Sequence, residues 1–397
     1  MVDAYDDAAD AARAAMVDRL RDVGTSDATL AAFARVPRDR LVPQFWVLAP
    51  PAGLAADTVA YRRGDPEGLE FLFDVDRAVA VNNVPGVPGG TTSTASAPRL
   101  LAAQADLLAL EPGMSVLEIG TGPGYFAAVL AELVGENGRV VSIDIDGAVA
   151  ETARAHLDAA GYAHVRVLAR DGHLGAPDDA PFDRVVGSVG CADVAAAWLH
   201  QLAPNGFAVV PLAHGAVHPM VRVEGDGRGV VVTRSGYVAI QGRQEHARLW
   251  PHARAFVLPT ESTPLPPDLA AAVAIEPERA AFGGIGEWDL GYWVAIHDQR
   301  AGVFANLNDG GGSTARVDAA NGTLTWSGDR GPELADELLR IALAWLDAGA
   351  PTSEDHAQRF VPIGSESPDA DLVIERVDHA QTITLGRSGP VTVAGAC

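Results

Sequence analysis

Between residues 97 and 212 short apolar runs alternate with longer amphipathic stretches. The runs at 116–119, 139–143, 165–168, 183–187 and 206–210 predict strands, and the stretches at 97–110, 123–134, 147–160 and 193–202 predict helices. Strands alternating with helices imply a mainly parallel sheet covered on both faces, an α/β fold whose ligands lie beyond the carboxyl ends of the strands. Upstream, Asp7 to Arg35 has helical spacing, broken by Gly24-Thr-Ser-Asp27 into two helices with Ser26 or Asp27 as N-cap. Val36 to Pro43 reads as an extended exit. From 44 to 90 the pattern is poor and Pro50-Pro51 and Pro85–Gly90 break it, which predicts a loop-rich cover with one strand at Phe71–Val75. Past Leu212 the texture changes. Val221–Glu224, Gly229–Thr233 and Tyr237–Ile240 alternate like antiparallel strands, and Thr314–Val317 and Thr323–Trp326 flank the hairpin signal Asn321-Gly322. An amphipathic helix at 332–348 offers Leu334, Leu338, Leu339, Ile341, Ala342 and Trp345 for burial. The expected division is therefore residues 1–215, a Rossmann-like domain with an enlarged loop at 44–93, and residues 216–397, an α+β domain.

Composition narrows the function classes. With 397 residues and 48% hydrophobic positions the chain can build large cores, but no run of about 20 apolar residues predicts a membrane span. The acidic start, Met1-Val-Asp-Ala-Tyr-Asp-Asp7, lacks the basic and apolar parts of a secretory signal. Two cysteines, Cys191 and Cys397, are too few for a disulfide framework, so a cytoplasmic protein is expected. The formal net charge is -23 and lysine is absent. That balance opposes tight nucleic-acid binding, and with it an RNA-modifying role, because phosphate contacts need a basic surface.

The densest chemistry is Val116-Leu-Glu-Ile-Gly-Thr-Gly-Pro-Gly-Tyr125, a strand, a glycine turn and a helix start in ten residues. Glycines let the backbone turn tightly and approach a ligand, and the free N–H groups of a helix start favour electron-rich partners. Dinucleotide dehydrogenases use a similar loop. Glu118, at the tip of the strand, distinguishes the two, since a carboxylate there repels a pyrophosphate but suits a cationic aminoacyl sulfonium. Asp144 ends the second strand about twenty residues after the loop, where a carboxylate accepts ribose hydroxyls; its bland alternative is a cap on the next helix. Asp171-Gly172 follows the third strand, where Asp171 could accept the exocyclic amine of adenine while Gly172 leaves room for the ring. Its alternative is a simple turn. These features favour S-adenosylmethionine over NAD.

The order Met16-Val-Asp-Arg-Leu20, Val36-Pro-Arg-Asp-Arg-Leu-Val-Pro43, Thr94-Ala-Ser-Ala-Pro98, Leu117–Tyr125, Gly161-Tyr162, Asp171-Gly172 and Ala180-Pro-Phe-Asp-Arg184 resembles the protein-L-isoaspartate O-methyltransferase family over the first half of the chain. The Thr-x-Ser-x-Pro element is its most specific part. The resemblance implies a serine active-site residue at Ser96. It also implies S-adenosylmethionine contacts from Thr94, Ser96, Glu118, Gly120, Thr121, Gly122, Gly124, Asp144, Ile145, Asp171 and Gly172, and a protein or peptide partner bearing Asp or isoAsp. The bland role for Ser96 is an N-cap on the helix that follows, with Pro98 in its first turn.

The chain also departs from that pattern. The family's repair enzymes are expected to end soon after the last strand of the sheet, whereas this chain runs on for about 180 residues, a domain by size. The segment 43–94 is enlarged, and the loop after the fourth strand, Gly187-Ser-Val-Gly-Cys-Ala-Asp193, differs from the family's Thr-Ala-Ala type of run. The extended form is similar to members that act in ribosomal-peptide maturation, which methylate an Asp and thereby form aspartimide or isoaspartate. This leaves a broad repair enzyme and a non-catalytic adaptor as alternatives, with the intact glycine loop, Asp144 and Ser96 opposing the adaptor. Cys191 is expected to be a buried, inert thiol, and His173 and His200 surface or packing residues. Trp198, Trp250, Trp288, Trp293 and Trp345 are expected in the core, and no His, Cys and Asp cluster has metal-ligand spacing.

Overall fold

A computed structural model describes residues 2–48, 58–82, 91–215, 217–235, 259–274, 285–302, 305–365 and 369–385. The described residues form two compact units, one running to Val189 and including Ala197–Val209, the other built from Gly190–Ala196 and the described residues from Val210.

The first unit opens with α1 (Val2–Asp22), α2 (Asp27–Arg35) and α3 (Arg38–Leu41). Ser26 caps α2 by accepting from the Thr29 N–H, one of the two caps expected. The segment expected as loops instead folds into a small antiparallel sheet. Strands β1 (Gln44–Leu48) and β2 (Thr58–Arg62) pair, and short helix α4 (Leu69–Leu72) precedes β3 (Val79–Ala80) and β4 (Thr94–Ala95). The strand order is β2-β1-β3-β4. Two of these strands are two residues long, too short for any alternation to be visible. The strand expected at Phe71–Val75 is not formed; Leu69–Leu72 is a short helix that buries Leu69 and Leu72 at helical spacing, with Phe73 and Val75 buried just after it.

Next come α5 (Pro98–Leu108), β5 (Ser115–Ile119), α6 (Tyr125–Val134), β6 (Arg139–Asp144), α7 (Gly147–Ala159), β7 (Arg166–Ala169), β8 (Phe182–Gly187), α8 (Ala196–His200) and β9 (Leu202–Pro211). Every predicted strand and helix of this region is present. The helix expected at 193–202 shrinks to α8, and β9 starts early, since Leu202 already pairs with Phe182. The turn-like Pro204-Asn-Gly206 is absorbed as an irregularity, with Asn205 left-handed at φ 67. All pairings are parallel and the order is β9-β8-β5-β6-β7. The order reverses between β5 and β8, so their carboxyl ends open the crevice in which such sheets bind ligands.

The second unit contains β10 (His218–Glu224), β11 (Arg228–Ser235), β12 (Glu261–Pro264), α9 (Pro267–Val273), α10 (Ile285–His297), β13 (Asn306–Asn308), β14 (Thr314–Asp318), β15 (Thr323–Ser327), α11 (Gly331–Asp347), β16 (Ala357–Pro362), β17 (Leu372–Glu375) and β18 (His379–Thr384). Strands β14 and β15 form the expected hairpin, closed by the pair Asp318↔Thr323. The loop therefore has four residues rather than two, with Gly322 at φ 62. Helix α11 buries Leu334, Leu338, Ala342 and Trp345 among Leu290, Val294, Leu307, Val317 and Leu324. A buried polar chain runs through this unit. The Arg376 guanidinium donates to the carbonyls of Ala192 and Ala213, to Gln381 Oε1 and to His214 Nε2. Gln381 donates to Gln358, and Gln358 to the Tyr292 hydroxyl. The strand expected at 237–240, Pro50-Pro51, Pro85–Gly90, Trp250 and Cys397 lie outside the described residues.

Candidate active site

The glycine loop occupies the crevice mouth. Gly120, Gly122 and Gly124 have φ of 98°, 51° and 88°, a region side chains rarely adopt. Gly120 and Thr121 donate their N–H groups to the Ile143 carbonyl, and Gly122 donates to Asp144 Oδ2 at 3.0 Å, which folds the loop over the tip of β6. A Cβ on Gly120 would lie 2.7 Å from Val189 Cγ1. Gly120→Ala is therefore expected to combine left-handed strain of about 1–3 kcal/mol with a clash. Thermal unfolding should fall by several degrees and donor affinity by more than tenfold in calorimetry.

Thr94, Ser96, Glu118, Thr121, Tyr125 and Ser188 line one narrow cleft beside this loop. Ser96 reaches it because β4 belongs to the small sheet and α5 begins directly after it. The N-cap of α5 is Ala97, with Pro98 in the first turn and no side-chain cap, so Ser96 does not cap the helix as its bland reading required. Gln104, fully buried on α5, donates to the Gly187 carbonyl at 2.7 Å and pins that helix to the end of β8.

Glu118 lies on β5, where the sequence placed it. It is 0% exposed, and its oxygens accept from Ser142 Oγ at 2.7 Å and Ser188 Oγ at 2.9 Å. Burial pushes its carboxyl up to about 8; the two hydroxyls pull down and Asp144 pushes further up. It is thus neutral at pH 7 until a cation enters. Among the described residues its hydrogen-bond partners are neutral hydroxyls, and that donor set fits the cationic end of an aminoacyl sulfonium. Ser142 and Ser188 were not anticipated. Ser142 shows in the sequence only as a polar position inside an apolar strand, and Ser188 only by following the fourth strand.

Asp144 sits half-buried at the end of β6, its carboxyl raised chiefly by burial and lowered by the N–H groups of Gly122 and Asp146. It is not the cap of α7. Asp146 takes that role, accepting from Ala148 and Val149. Asp144 therefore stays available to ribose hydroxyls, and beside it Ile145 is 41% exposed, an apolar face of the kind a purine covers. Asp171 accepts from the His173 N–H, so the turn role is real. A Cβ on Gly172 would lie 2.6 Å from Ile119 Cγ2, so packing onto β5 by itself calls for glycine here. Its carbonyl accepts from Trp198 Nε1 at 2.8 Å.

Trp198, Trp288, Trp293 and Trp345 are buried, as is His173, whereas His200 is exposed. Cys191, in the second unit, is fully buried, and burial aided by Asp193 pushes its thiol far up, which makes it unreactive. No helix among the described residues is long and apolar enough to cross a membrane.

The strand order, the glycine loop and the three strand-end carboxyl groups define a Rossmann-like methyltransferase dependent on S-adenosylmethionine. The family model for protein-L-isoaspartate(D-aspartate) O-methyltransferase matches residues 73–244. A protein-L-isoaspartate O-methyltransferase of Methanococcoides burtonii is 37% identical over 165 residues, 42% of this chain and 80% of that protein. One from Methanopyrus kandleri is 34% identical over 216 residues, 54% of this chain and 82% of that protein. The chain belongs to the protein-L-isoaspartate O-methyltransferase family and is a carboxyl methyltransferase. A solved structure titled protein-L-isoaspartate O-methyltransferase, 20% identical, covers 94% of this chain and 100% of its own at a TM-score of 0.54. That likeness is one of fold.

Proposed function

We propose that the chain methylates the side-chain carboxylate of an isoaspartyl or aspartyl residue in a peptide, with Ser96 aiming the acceptor. The observation that carries this reading is the placement of Ser96 and Glu118 in one cleft against the glycine loop. When bound, S-adenosylmethionine supplies a methyl group activated by a sulfonium. Glu118 ionises against its cationic end, Asp144 accepts the ribose hydroxyls, Ile145 and Gly172 border the purine, and Asp171 accepts its exocyclic amine. Thr94, Thr121 and the N–H groups of the loop form the rest of the cradle. The acceptor, with a reference pKa near 4, is already ionised and needs no base. Ser96 donates a hydrogen bond to one carboxylate oxygen so that a lone pair of the group faces the methyl in line. The new O–CH₃ bond forms as the S–CH₃ bond breaks, leaving a neutral thioether and an ester. The neighbouring backbone nitrogen then displaces methanol to close a succinimide.

Ser96→Ala is expected to lower kcat by about 10²-fold, the usual loss for one aligned donor, with donor affinity within twofold. Unchanged kcat in a radiolabel-transfer assay removes Ser96 from the mechanism.

The finer reading is an Asp acceptor in a ribosomally made, constrained peptide that the second unit recognises, in the cytoplasm. The enlarged segment 44–93 and the divergent loop 187–193 support it, because both border the acceptor side of the glycine loop in the sequence order of the family. A panel of linear isoaspartyl peptides against cyclised Asp peptides separates the readings. Preferential turnover of the cyclised set supports maturation, and fast turnover of the linear set indicates a repair enzyme.

A further inference from the structure

We propose that Arg38 is a positioning residue for methyl transfer, holding the Ser96 backbone in register with the cleft and standing as a positive charge behind the acceptor carboxylate. Arg38 is 0% exposed. Its Nη2 donates to the Ser96 carbonyl at 2.9 Å and lies 3.3 Å from that of Ala95, while Nε donates to the Leu72 carbonyl at 2.8 Å. The guanidinium carbon lies 4.5 Å from the ring centroid of Tyr125, the first residue of α6 and itself part of the cleft wall. One side chain therefore ties the end of α4, the reactive segment and the start of the helix after the glycine loop. The ring is fixed in turn by Phe33, edge-on at 5.9 Å.

The chemistry of this placement is unusual. Taking a guanidinium out of water costs several kcal/mol, and buried charges are normally paired. Among the described residues no carboxylate pairs with Arg38; the neighbouring Asp39 is engaged by Arg63. Backbone carbonyls and a ring face hold it instead. Hydrophobic packing does not explain an arginine here, because an apolar side chain would leave the Leu72 and Ser96 carbonyls without these donors. Two functions do. The planar fork holds the Leu72 carbonyl through Nε and the Ser96 carbonyl through Nη2 at a fixed relative placement, which a point charge cannot do. Its charge, with only the Tyr125 ring and neutral carbonyls around it, also favours an anion at Ser96. Burial lowers the guanidinium pKa, and the Tyr125 hydroxyl opposes this.

The proposal rests on the reading of Ser96 above, and a double-mutant cycle tests the two separately. Arg38→Gln and Arg38→Lys are made in the wild type and in Ser96→Ala, and kcat, acceptor KM and calorimetric affinity for S-adenosylhomocysteine are measured with the best peptide of the panel. Arg38→Gln is expected to lower kcat by about 30-fold in the wild type and no more than about twofold in Ser96→Ala, with S-adenosylhomocysteine affinity within about twofold throughout. Arg38→Lys, which keeps charge but not the fork, should lie between; if Arg38→Gln does not fold, it carries the same cycle. Additive losses overturn the proposal while leaving Ser96 intact, as does S-adenosylhomocysteine affinity falling in step with kcat, the mark of a scaffold residue. If Ser96→Ala alone matches the wild type, the Ser96 reading fails and Arg38 fails with it.

Discussion

Glu118→Gln is expected to be more stable than the wild type at pH 7 and to bind the sulfonium donor poorly. The two effects have one cause. Glu118 is fully buried with its carboxyl pushed up to about 8, whereas in the unfolded chain it titrates near 4.5. Between those values the folded protein holds a proton that the unfolded chain has lost. Stability from this group therefore falls as pH rises, by about 1.4 kcal/mol per unit, up to the folded pKa. A neutral glutamine of the same shape removes that slope, for a gain on the order of 3 kcal/mol at pH 7. Donor binding has the opposite requirement, since a sulfonium favours the ionised carboxyl. In the wild type, uptake of the donor should release a proton below pH 8, and affinity should rise with pH until about 8. In Glu118→Gln affinity should be independent of pH across this range and about 10- to 100-fold weaker, the loss of a charge-assisted contact. Calorimetry in buffers of different ionisation enthalpy reads the proton directly, and thermal unfolding from pH 5 to 9 reads the slope. An unchanged slope in the variant removes Glu118 as its source.

Arg376→Met should destabilise the second unit by about 3–5 kcal/mol. Arg376 is 5% exposed, with its pKa lowered by burial to about 10 and supported by Asp193, so it remains charged at neutral pH. Removing it strips donors from the Ala192 and Ala213 carbonyls, from Gln381 and from His214. Burial and then Arg376 lower the His214 pKa, and its Nε2 faces the guanidinium at 2.8 Å. Calorimetric unfolding at pH 7 should show the loss, with Arg376→Lys recovering part of it. A loss under about 1 kcal/mol would mean that neighbouring donors replace the guanidinium without cost.

The parts of the site that lay in one continuous stretch were legible in the sequence. Val116–Tyr125 announces a strand, three backbone positions that need glycine and a helix start, because each of these is dictated within a few residues. The positions of Asp144 and Asp171 were legible for the same reason, since one ends and the other closely follows a strand of visible apolar pattern. The missing parts act through space. Nothing local to Ser142 or Ser188 says that their hydroxyls meet the Glu118 carboxyl, and nothing in Val36-Pro-Arg38 says that a guanidinium reaches the carbonyls of Ala95 and Ser96. The small sheet of β1 to β4 escaped because two of its strands have two residues each, below the length at which alternation exists.

By itself the sequence determined the order of strands and helices between residues 97 and 212, the turn chemistry of the glycine loop and the residue types that can hold a sulfonium nucleoside. Periodicity and glycine conformational freedom are local properties, so local reading suffices for them. Tertiary structure alone decided the charge state of Glu118, the packing demand behind Gly172, the transfer of the helix-capping role from Asp144 to Asp146, and the burial of Arg38 behind Ser96. Each of these depends on which surfaces are withdrawn from water and which partners meet across the fold, and desolvation has no counterpart in a linear pattern.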